Sequence, residues 1–433
     1  MTDFSSLSPA QFATELQKLG RRRAAFTYDE NQQALIASQA ELSPLAQAIN
    51  GNARDFARHE AIFLEVGQQT GALFGAFLHR TVRGQGAGGV RHWAYPTLAD
   101  FITDGLRLSR GMGRKNALAG LWWGGGKGVI ARQTEDGPSS PDYRQVLFRE
   151  YGAFISSLRG LYVTAEDVGT SPADIAEIHH TTRFVTCVPP ALGGSGNPSI
   201  STAQGVICAM EGALSFLGKG SLEGKKIAVQ GAGNVGSSLV GFLLQKGAAS
   251  VVVAEISGAL HERLLATYRD SRLQVRHVGA DDLSIFNEPC DLLAPCALGG
   301  VLGPHTIGLL QTPLVCGAAN NQLLDDSRDD LALKQRGITF VPDFVANRMG
   351  IVNCANEQYG WFQGDPAIAR HFGQDWSSSV YNVTRDVLQR ATKENSTPSR
   401  AANALADELM EQRHPIWGHR GKEIVQALLH EGW

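Results

Sequence analysis

The chain has 433 residues, of which 43 % are apolar and 19 % are charged. That apolar fraction is enough to bury a core, which excludes a wholly disordered chain, and the length predicts two to three domains. Lys and Arg number 39 and Asp and Glu number 42, so the net charge is −3. Because there is no overall basic field, nucleic acid is not expected as a partner.

Six cysteines are spread along the chain with no C-x-x-C pair. This pattern excludes a zinc ribbon and a redox dithiol, and it favours reduced thiols that pack as small apolar side chains. His179 and His180 have no partner at a metal-ligand spacing, so no metal is predicted. The N-terminus lacks a basic segment followed by an apolar run, and no run reaches the roughly 18 residues of a membrane helix. We therefore expect a cytoplasmic protein that does not bind a membrane.

The first 58 residues are mixed in character and mostly polar. Helices are predicted from Gln11 to Arg23 and from Asn31 to Ile49. From His59 the residue pattern changes. The stretches AIFLEV and GALFGAFLHRTV predict two strands around a glycine-containing turn. Residues 1–58 are therefore treated as an N-terminal extension.

The next segment is rich in glycine and ends in a predicted strand. RGQGAGGVRHW precedes a helix that Thr97 begins with a capping pattern. WWGGGKGVI follows that helix, then a polar loop at 133–142 and a second helix. LYVTAED predicts a strand that ends at Asp167, just before the helix start at Ser171.

A linker is predicted at 193–199, where the sequence is GGSGNPS. Beyond it, short apolar strands (IAVQ, VVVAE, LLAP, LVCGA and ITFVP) alternate with helical or loop stretches as far as about residue 341. This alternation predicts an α/β domain with a parallel sheet. The chain from about residue 365 is predicted to be helical.

The stretch KKIAVQ-GAGNVG carries glycines at the G-x-G-x-x-G spacing, between a predicted strand and a predicted helix. Such a turn lets the backbone and the helix N-terminus approach a pyrophosphate. Glu255 ends the next strand, where its carboxylate can accept from a ribose 2′-hydroxyl and would repel a 2′-phosphate, so NAD is favoured over NADP. The alternative is a structural turn without a ligand. The predicted cofactor-binding residues are Gly231, Gly233, Asn234, Val235, Gly236 and Glu255.

Two lysines and an aspartate form a candidate catalytic set. Lys127 directly follows three glycines, which would let the backbone approach a small ligand closely, and Lys115 lies 12 residues earlier. A desolvated lysine beside a second cation can act as a general base near neutral pH. Asp167, at a strand end, could shuttle protons to a substrate amine. The alternatives are solvated lysine charges and a helix-capping aspartate.

These residues lie in motifs by which the chain resembles the Glu/Leu/Phe/Val amino-acid dehydrogenases, and it looks closest to leucine and phenylalanine dehydrogenases. The resemblance runs in family order from about His59 to Gly360. The matching stretches are KNALAGLWWGGGKGVI, LYVTAEDVGTS, SGNPS with TAQGV, VQGAGNVG, LAPCALGG, CGAANNQL and VPDFVAN.

The resemblance implies NAD-linked, reversible oxidative deamination of an L-amino acid to a 2-oxo acid and ammonia. It implies that Lys127 activates water and that Asp167 exchanges protons with the substrate nitrogen. Lys115, with the backbone of a glycine turn around Gly88 and Gly89, would bind the substrate carboxylate. The remaining implied positions are Ala87 and Ala165 in the substrate pocket and Thr202 and Asn320 at the nicotinamide ring.

The resemblance also implies an architecture of two α/β domains. Residues 59–198 would form the substrate-binding and oligomerisation domain, and 199–345 a Rossmann-type NAD domain, with the active site in the cleft. The helical segment 346–433 would pack back on the first domain. A homo-oligomer is expected.

Two departures from the family pattern concern the substrate. Arg348 and Met349 follow VPDFVAN where the family has small residues, and Ala87 stands where leucine-type enzymes carry a larger apolar residue. Arg348 would either point outward or pair with an acid, or enter the pocket and recognise a polar or acidic side chain. Ala87 would widen the pocket toward aromatic substrates. An apolar or aromatic amino acid is the main prediction; a polar, acidic or unusual biosynthetic amino acid and a non-catalytic NAD-binding protein are the alternatives.

Overall fold

The structure is a computed structural model that describes residues 3–132 and 141–433. The chain divides into two compact units. Unit 1 contains Met1–Asn197, Glu357–Trp361 and Asp407–Trp433, and unit 2 contains Pro198–Asn356 and Phe362–Ala406. The polar loop predicted at 133–142 falls outside the described residues, apart from its last two positions.

Unit 1 is built around a seven-stranded mixed sheet with the strand order β2-β1-β3-β4-β6-β5-β7. Its strands are β1 (Arg23–Asp29), β2 (Ala34–Ala37), β3 (Ala61–Val66), β4 (Leu73–Leu78), β5 (Gly86–Trp93), β6 (Gly124–Ala131) and β7 (Tyr162–Glu166). Its helices are α1 (Pro9–Lys18), α2 (Ser43–Gly51), α3 (Leu98–Leu118), α4 (Pro141–Ser157), α5 (Pro172–His179) and, near the C-terminus, α16 (Arg420–His430).

Helices cover both faces of this sheet. On one side, which we call the α3 face, Phe12 of α1 and Phe101 of α3 pack against Val129 of β6. On the other side, the α4 face, Phe148 of α4 and Tyr162 of β7 belong to a second core. Because side chains alternate along a strand, each sheet residue belongs to one face or the other.

The described elements confirm several of the predicted ones. AIFLEV and the first part of GALFGAFLHRTV are β3 and β4, and Thr97 caps α3 by accepting from Asp100 N. The helix predicted from Asn31 to Ile49 is wrong in its first part, where β2 pairs with β1, and is confirmed in its last part, where α2 begins at Ser43. The glycine turn expected around Gly88 and Gly89 is also wrong, since both residues lie within β5.

Unit 2 contains a six-stranded parallel sheet with the order β10-β9-β8-β11-β12-β13. The strands are β8 (Lys226–Gln230), β9 (Ser250–Glu255), β10 (Leu273–His277), β11 (Leu292–Pro295), β12 (Leu314–Val315) and β13 (Thr339–Phe340). The helices are α6 (Ser199–Phe216), α7 (Asn234–Gln245), α8 (Gly258–Thr267), α9 (Pro304–Leu309), α10 (Asp326–Gln335), α11 (Asp343–Ala346), α12 (Met349–Glu357), α13 (Pro366–Ala369), α14 (Val380–Lys393) and α15 (Pro398–Met410). The last residue of α12 and the last turn of α15, from Asp407, belong to unit 1. A parallel sheet alternating with helices confirms the predicted Rossmann-type α/β architecture.

The bounds of the units differ from the predicted domains in two places. Residues 1–58 are an integral part of unit 1, because β1 hydrogen-bonds to β3 and α1 buries Phe12 in the core on the α3 face. The segment 346–433 is divided between the units instead of joining the first. α14 packs on α6 within unit 2, whereas Leu428 of α16 enters the core on the α4 face of unit 1.

No helix in the described part of the chain is both long and apolar enough to cross a membrane.

Candidate active site

Three neighbouring parallel strands of unit 1 bring most of the predicted substrate residues together. β5 lies between β6 and β7, with Ala87 opposite Gly125 on one side and Gly89 opposite Ala165 on the other. Lys127 lies on β6, two residues before Val129 of the α3 face, so its side chain points to that face as well. The sheet therefore places Lys127, Gly89 and Ala165 on adjacent strands and on one face.

Lys127 and Asp167 form an ion pair on this face. The Lys127 side chain is only 5 % exposed and that of Asp167 is 19 % exposed. Burial has the largest single effect on the Asp167 carboxyl and raises its pKa. The charges of Lys127 and Arg91 outweigh it, so the net pKa lies below the usual 3.8. The pair thus places an ionised carboxylate beside the buried amino group of Lys127.

Gly89 leaves room for Asp167 of this pair, and Gly88 lets β5 approach β6 closely. A Cβ on Gly89 would lie 2.7 Å from Cβ of Asp167, and one on Gly88 would lie 2.1 Å from the carbonyl oxygen of Gly126. In the described register, β5 pairs with β6 at Ala87 and again only from Val90, so the two glycines lie at a gap in that ladder. Backbone groups at such a gap can serve a ligand.

Two of the three glycines before Lys127 have a packing role that was not predicted. A Cβ on Gly124 would lie 2.2 Å from the carbonyl oxygen of Arg80, and one on Gly125 would lie 2.5 Å from that of Ser109 in α3. Protein atoms already occupy the space beside them. Gly125 permits close packing of α3 on β6, and Gly124 permits close approach of the segment that follows β4; the approach of a ligand to these glycines stays a prediction.

Lys115 lies in the last turn of α3 and is half-buried. The neighbouring Asn116 fixes this turn on the sheet, because its amide donates to the carbonyl oxygens of Ala87 at 3.3 Å and Gly124 at 2.7 Å. Asn116 was not singled out from the sequence, although it belongs to the K-N-A motif. On the opposite face, the buried Tyr162 hydroxyl donates to the carbonyl of Gly88 at 2.6 Å.

Arg91 is a further residue that sequence reasoning missed. Its Nε lies 3.7 Å from Oδ2 of Asp167, and its Nη1 donates to both oxygens of Asp104 at 3.0 and 3.1 Å. A signal was available, because Arg91 follows Gly89 by two residues and so shares its face in a strand.

In unit 2 the glycine turn has the shape that a pyrophosphate needs. Gly231 has φ +90, a conformation that favours glycine, and a Cβ on Gly236 would lie 2.2 Å from the Gly231 carbonyl oxygen. Around Gly233, the N-cap of α7, no atom of the described residues lies within 4 Å of a built Cβ. Asn234, Val235 and Gly236 form the first turn of α7, whose N–H groups have no intrahelical acceptor. The turn is thus closely packed at Gly231 and Gly236 and open at Gly233.

Glu255 is 5 % exposed and ties this turn to the end of β9. One carboxylate oxygen accepts from Ala232 N at 2.6 Å and the other from Ser257 N at 2.8 Å. Each oxygen retains a second lone pair for a ribose hydroxyl. The residues therefore fit an adenine dinucleotide.

Thr202 and Asn320 lie near the segment that follows VPDFVA. Thr202, in the first turns of α6, has its hydroxyl 3.2 Å from a Cβ built on Gly350. Asn320 is exposed and accepts from the Asn347 amide at 2.7 Å, and Asn347 also donates to the Ala318 carbonyl at 3.0 Å. Asn347 is a second residue that sequence reasoning missed, although it ends a motif that was recognised.

Arg348 and Met349 point into the interior of unit 2. Arg348 is 0 % exposed and donates from Nη2 to the Ser378 carbonyl at 2.5 Å. Its burial lowers the guanidinium pKa to about 9, and Cys208 opposes that shift. Met349 packs on Gly205 of α6, where a Cβ would lie 2.6 Å from its Cγ. The expectation that Arg348 points outward is therefore wrong, and its proposed place in the substrate pocket gains no support from this geometry.

All six cysteines are free, as the sequence predicts. Among the residues that the structure describes, no three His, Cys, Asp or Glu side chains are grouped so as to hold a metal ion.

Two family models match this chain. The model described as Glutamate/Leucine/Phenylalanine/Valine dehydrogenase matches residues 193–414, and the Glu/Leu/Phe/Val dehydrogenase dimerisation domain matches residues 65–184. Leucine dehydrogenase of Bacillus subtilis is 39 % identical over 346 residues, which cover 80 % of this chain and 89 % of that protein. Valine dehydrogenase of Streptomyces coelicolor is 36 % identical and covers 82 % of this chain and 93 % of its own length.

Solved structures agree. L-tryptophan dehydrogenase from Nostoc punctiforme matches with a TM-score of 0.67 and 29 % identity, covering 81 % of this chain and 96 % of that one. A hetero-hexameric glutamate dehydrogenase from Thermus thermophilus, at 24 % identity and a TM-score of 0.64, covers 79 % of this chain and 84 % of its own, and it shows the same fold. The chain belongs to the Glu/Leu/Phe/Val dehydrogenase family and is an oxidoreductase, an NAD(P)-dependent amino-acid dehydrogenase.

Proposed function

We propose that this chain catalyses the reversible, NAD-linked oxidative deamination of an apolar or aromatic L-amino acid. The amino acid, water and NAD⁺ give a 2-oxo acid, an ammonium ion, NADH and a proton. The observation that carries the proposal is the buried ion pair of Lys127 and Asp167 beside Gly88 and Gly89. A protein that only binds NAD has no need to bury a lysine in this way, because burying a charge is costly unless it has a use.

The proposed roles follow from the chemistry of each group. Lys115 and the backbone N–H groups of Gly88 and Gly89 hold the substrate carboxylate. Bound NAD⁺ would supply the acceptor for the hydride that leaves the substrate α-carbon. Lys127, as the free amine, removes a proton from the water that attacks the resulting iminium carbon. Asp167 exchanges protons with the substrate nitrogen, which leaves as ammonia.

We propose NAD as the physiological cofactor because of Glu255. The carboxylate is buried at the end of β9, where it can accept from a ribose 2′-hydroxyl. A 2′-phosphate would place a second negative charge against it. Gly231, Gly233 and the first turn of α7 would hold the pyrophosphate, and Thr202 and Asn320 would orient the nicotinamide.

The substrate side chain is proposed to be apolar or aromatic. The relatives named above act, by their names, on leucine, valine and tryptophan, and Ala87 is a small, wholly buried residue on β5. Recognition of an acidic side chain by Arg348 is not favoured, because its guanidinium is buried and donates to Ser378.

Two wider proposals accompany this function. A homo-oligomer is proposed because residues 65–184 match a dimerisation domain, and an oligomeric relative has the same fold. A reducing compartment, such as the cytoplasm, fits six free cysteines.

The proposal is tested by NADH formation with purified chain against the L-amino acids, and by ammonium-dependent NADH oxidation with their oxo acids. We expect turnover with one or more of Leu, Ile, Val, Phe and Trp, little with Glu, and none with the D-enantiomers. Preference for Glu would overturn the proposed substrate class. Absence of turnover across the panel, with NADH binding intact, would favour a non-catalytic NAD-binding protein.

A further inference from the structure

A row of alternating charges extends from the ion pair across the α3 face of unit 1. Lys127 pairs with Asp167, and Asp167 Oδ2 lies 3.7 Å from Nε of Arg91. Arg91 Nη1 donates to both carboxylate oxygens of Asp104 on α3 at 3.0 and 3.1 Å. The Tyr95 hydroxyl ends the row by donating to Asp104 at 2.6 Å. We call these five residues the charge row.

The charged members of this row are all shielded from solvent. Their side chains are 5 % exposed for Lys127, 19 % for Asp167, 24 % for Arg91 and 21 % for Asp104. Charges in such surroundings interact more strongly than pairs at an open surface. Removing one member should therefore change the properties of its neighbours.

We propose that Arg91 is a positioning residue for Asp167, which it keeps aimed at Lys127 and the substrate nitrogen. Asp104 and Tyr95 hold Arg91 in turn. The inference rests on the proposed function, because it takes the proton-transfer role of Asp167 from there.

The geometry explains why an arginine suits this position. At 3.7 Å the Arg91 guanidinium acts on Asp167 through charge without forming a hydrogen bond, so Arg91 occupies none of the carboxylate lone pairs. The contact of Nη1 with both Asp104 oxygens fixes the planar guanidinium. Burial and, second, the Asp104 charge raise the pKa of Tyr95, so its hydroxyl stays a donor.

Arg91 also favours the ionised form of Asp167, in addition to holding its side chain in position. After Lys127, the Arg91 charge is the next influence that lowers the Asp167 pKa against the opposing effect of burial. Gly89 contributes space, because any Cβ there would meet Cβ of Asp167. Charge from Arg91 and space at Gly89 therefore both act on Asp167.

The test is a double-mutant cycle in kcat and KM with the full chain and its best amino acid. The variants are R91M, R91K, D167N and R91M/D167N. R107M is the matched control, because Arg107 of α3 forms a similar arginine–aspartate pair with Asp55, and neither residue belongs to the charge row. We expect R91M to lower kcat about 10–100-fold with KM changed less than about threefold, R91K to recover part of the loss, and R107M to retain activity. In the D167N background R91M should change kcat less than about twofold.

Two results would overturn the inference. If the effects of R91M and D167N on kcat multiply, Arg91 does not act through Asp167. If R91M raises KM with kcat unchanged, Arg91 binds substrate directly.

A thermal cycle decides the same question without turnover. In this cycle R91M should lower the melting temperature more in the wild-type background than in D167N, because only the former loses the Arg91–Asp167 interaction. Equal shifts in both backgrounds would contradict the inference. A wild-type chain that lacks turnover would refute the proposed function, and the thermal cycle would still judge the role of Arg91.

Discussion

Asp167 combines a largely buried carboxylate with two cationic neighbours, Lys127 and Arg91. Its lowered pKa means that the folded state binds the proton less readily than the unfolded state does. The stability that Asp167 contributes is therefore fully present above its unfolded pKa, near 3.8, and is lost as the pH falls through the lower folded value.

D167N tests this directly. The melting temperature of D167N should lie below that of the wild type at pH 7, because Lys127 loses its partner. The difference should narrow below about pH 4, where the unfolded wild-type chain takes up a proton at Asp167 that the folded chain does not yet bind. Thermal unfolding followed by circular dichroism between pH 3 and pH 8, in roughly one-unit steps, measures it. A difference that stays constant down to pH 3 would contradict the lowered pKa.

Glu255 gives a second prediction for a single residue. E255Q keeps the acceptor for Ala232 N but removes the negative charge that opposes a 2′-phosphate. The ratio of kcat/KM for NADP to that for NAD should rise about tenfold or more. E262Q on α8 is the control, since Glu262 is exposed. An unchanged ratio in E255Q would show that Glu255 does not determine the preference for NAD over NADP.

Among the elements, the packing of α3 on β6 determines where Lys127 lies. Gly125 faces the Ser109 carbonyl of α3, so this helix can approach only a strand that lacks side chains there. The same helix carries Lys115 and Asp104. α3 thus connects the glycine strand to the proposed carboxylate-binding lysine and to the charge row.

G125A tests this contact, and G111A, at an exposed position of α3, is the matched control. A Cβ at position 125 would lie 2.5 Å from the Ser109 carbonyl oxygen, so we expect G125A to destabilise unit 1 by about 1–3 kcal/mol and to reduce turnover. At Gly111 of α3 the built Cβ has no described atom within 4 Å, so G111A should stabilise the helix by about 0.5–1 kcal/mol. Urea denaturation compares them, and a G125A variant as stable as wild type would contradict the packing account.

Sequence patterns predicted some of these elements and missed others for physical reasons. β3, β4 and the strand that ends near Asp167 follow from apolar runs bounded by turns, and Thr97 follows from its capping pattern. β5 was taken for a turn because its glycines carry no propensity for a strand, and only pairing with β6 and β7 makes it one. Arg91 was missed because its role depends on Asp104 and Asp167, which are distant in sequence.

In the whole molecule, the chain termini both complete unit 1. α1 and β1 extend its sheet and core at one end, and α16 contributes Leu428 to the core on the α4 face. The sequence predicted two α/β domains correctly but not their bounds. Apolar periodicity shows that a helix is buried and does not show which core buries it.

L428A tests the place of α16 in unit 1. Leu428 is 1 % exposed, so truncation should cost about 2–5 kcal/mol in the free energy of unfolding, whereas Q426A on the exposed side of the same helix should change it by less than about 0.5 kcal/mol. Urea unfolding of both variants gives the comparison. Equal stability would mean that α16 does not contribute to the core.

The central claim is that Lys127 and Asp167 make this chain an amino-acid dehydrogenase. K127A tests it most directly, with the exposed K422A on α16 as control, by measuring kcat together with NADH binding by fluorescence. The account predicts that K127A loses about 10²–10⁴ in kcat while it binds NADH as tightly as wild type does, and that K422A retains both properties. A K127A variant that turns over its amino acid within about threefold of wild type would contradict the assignment of Lys127 as the base.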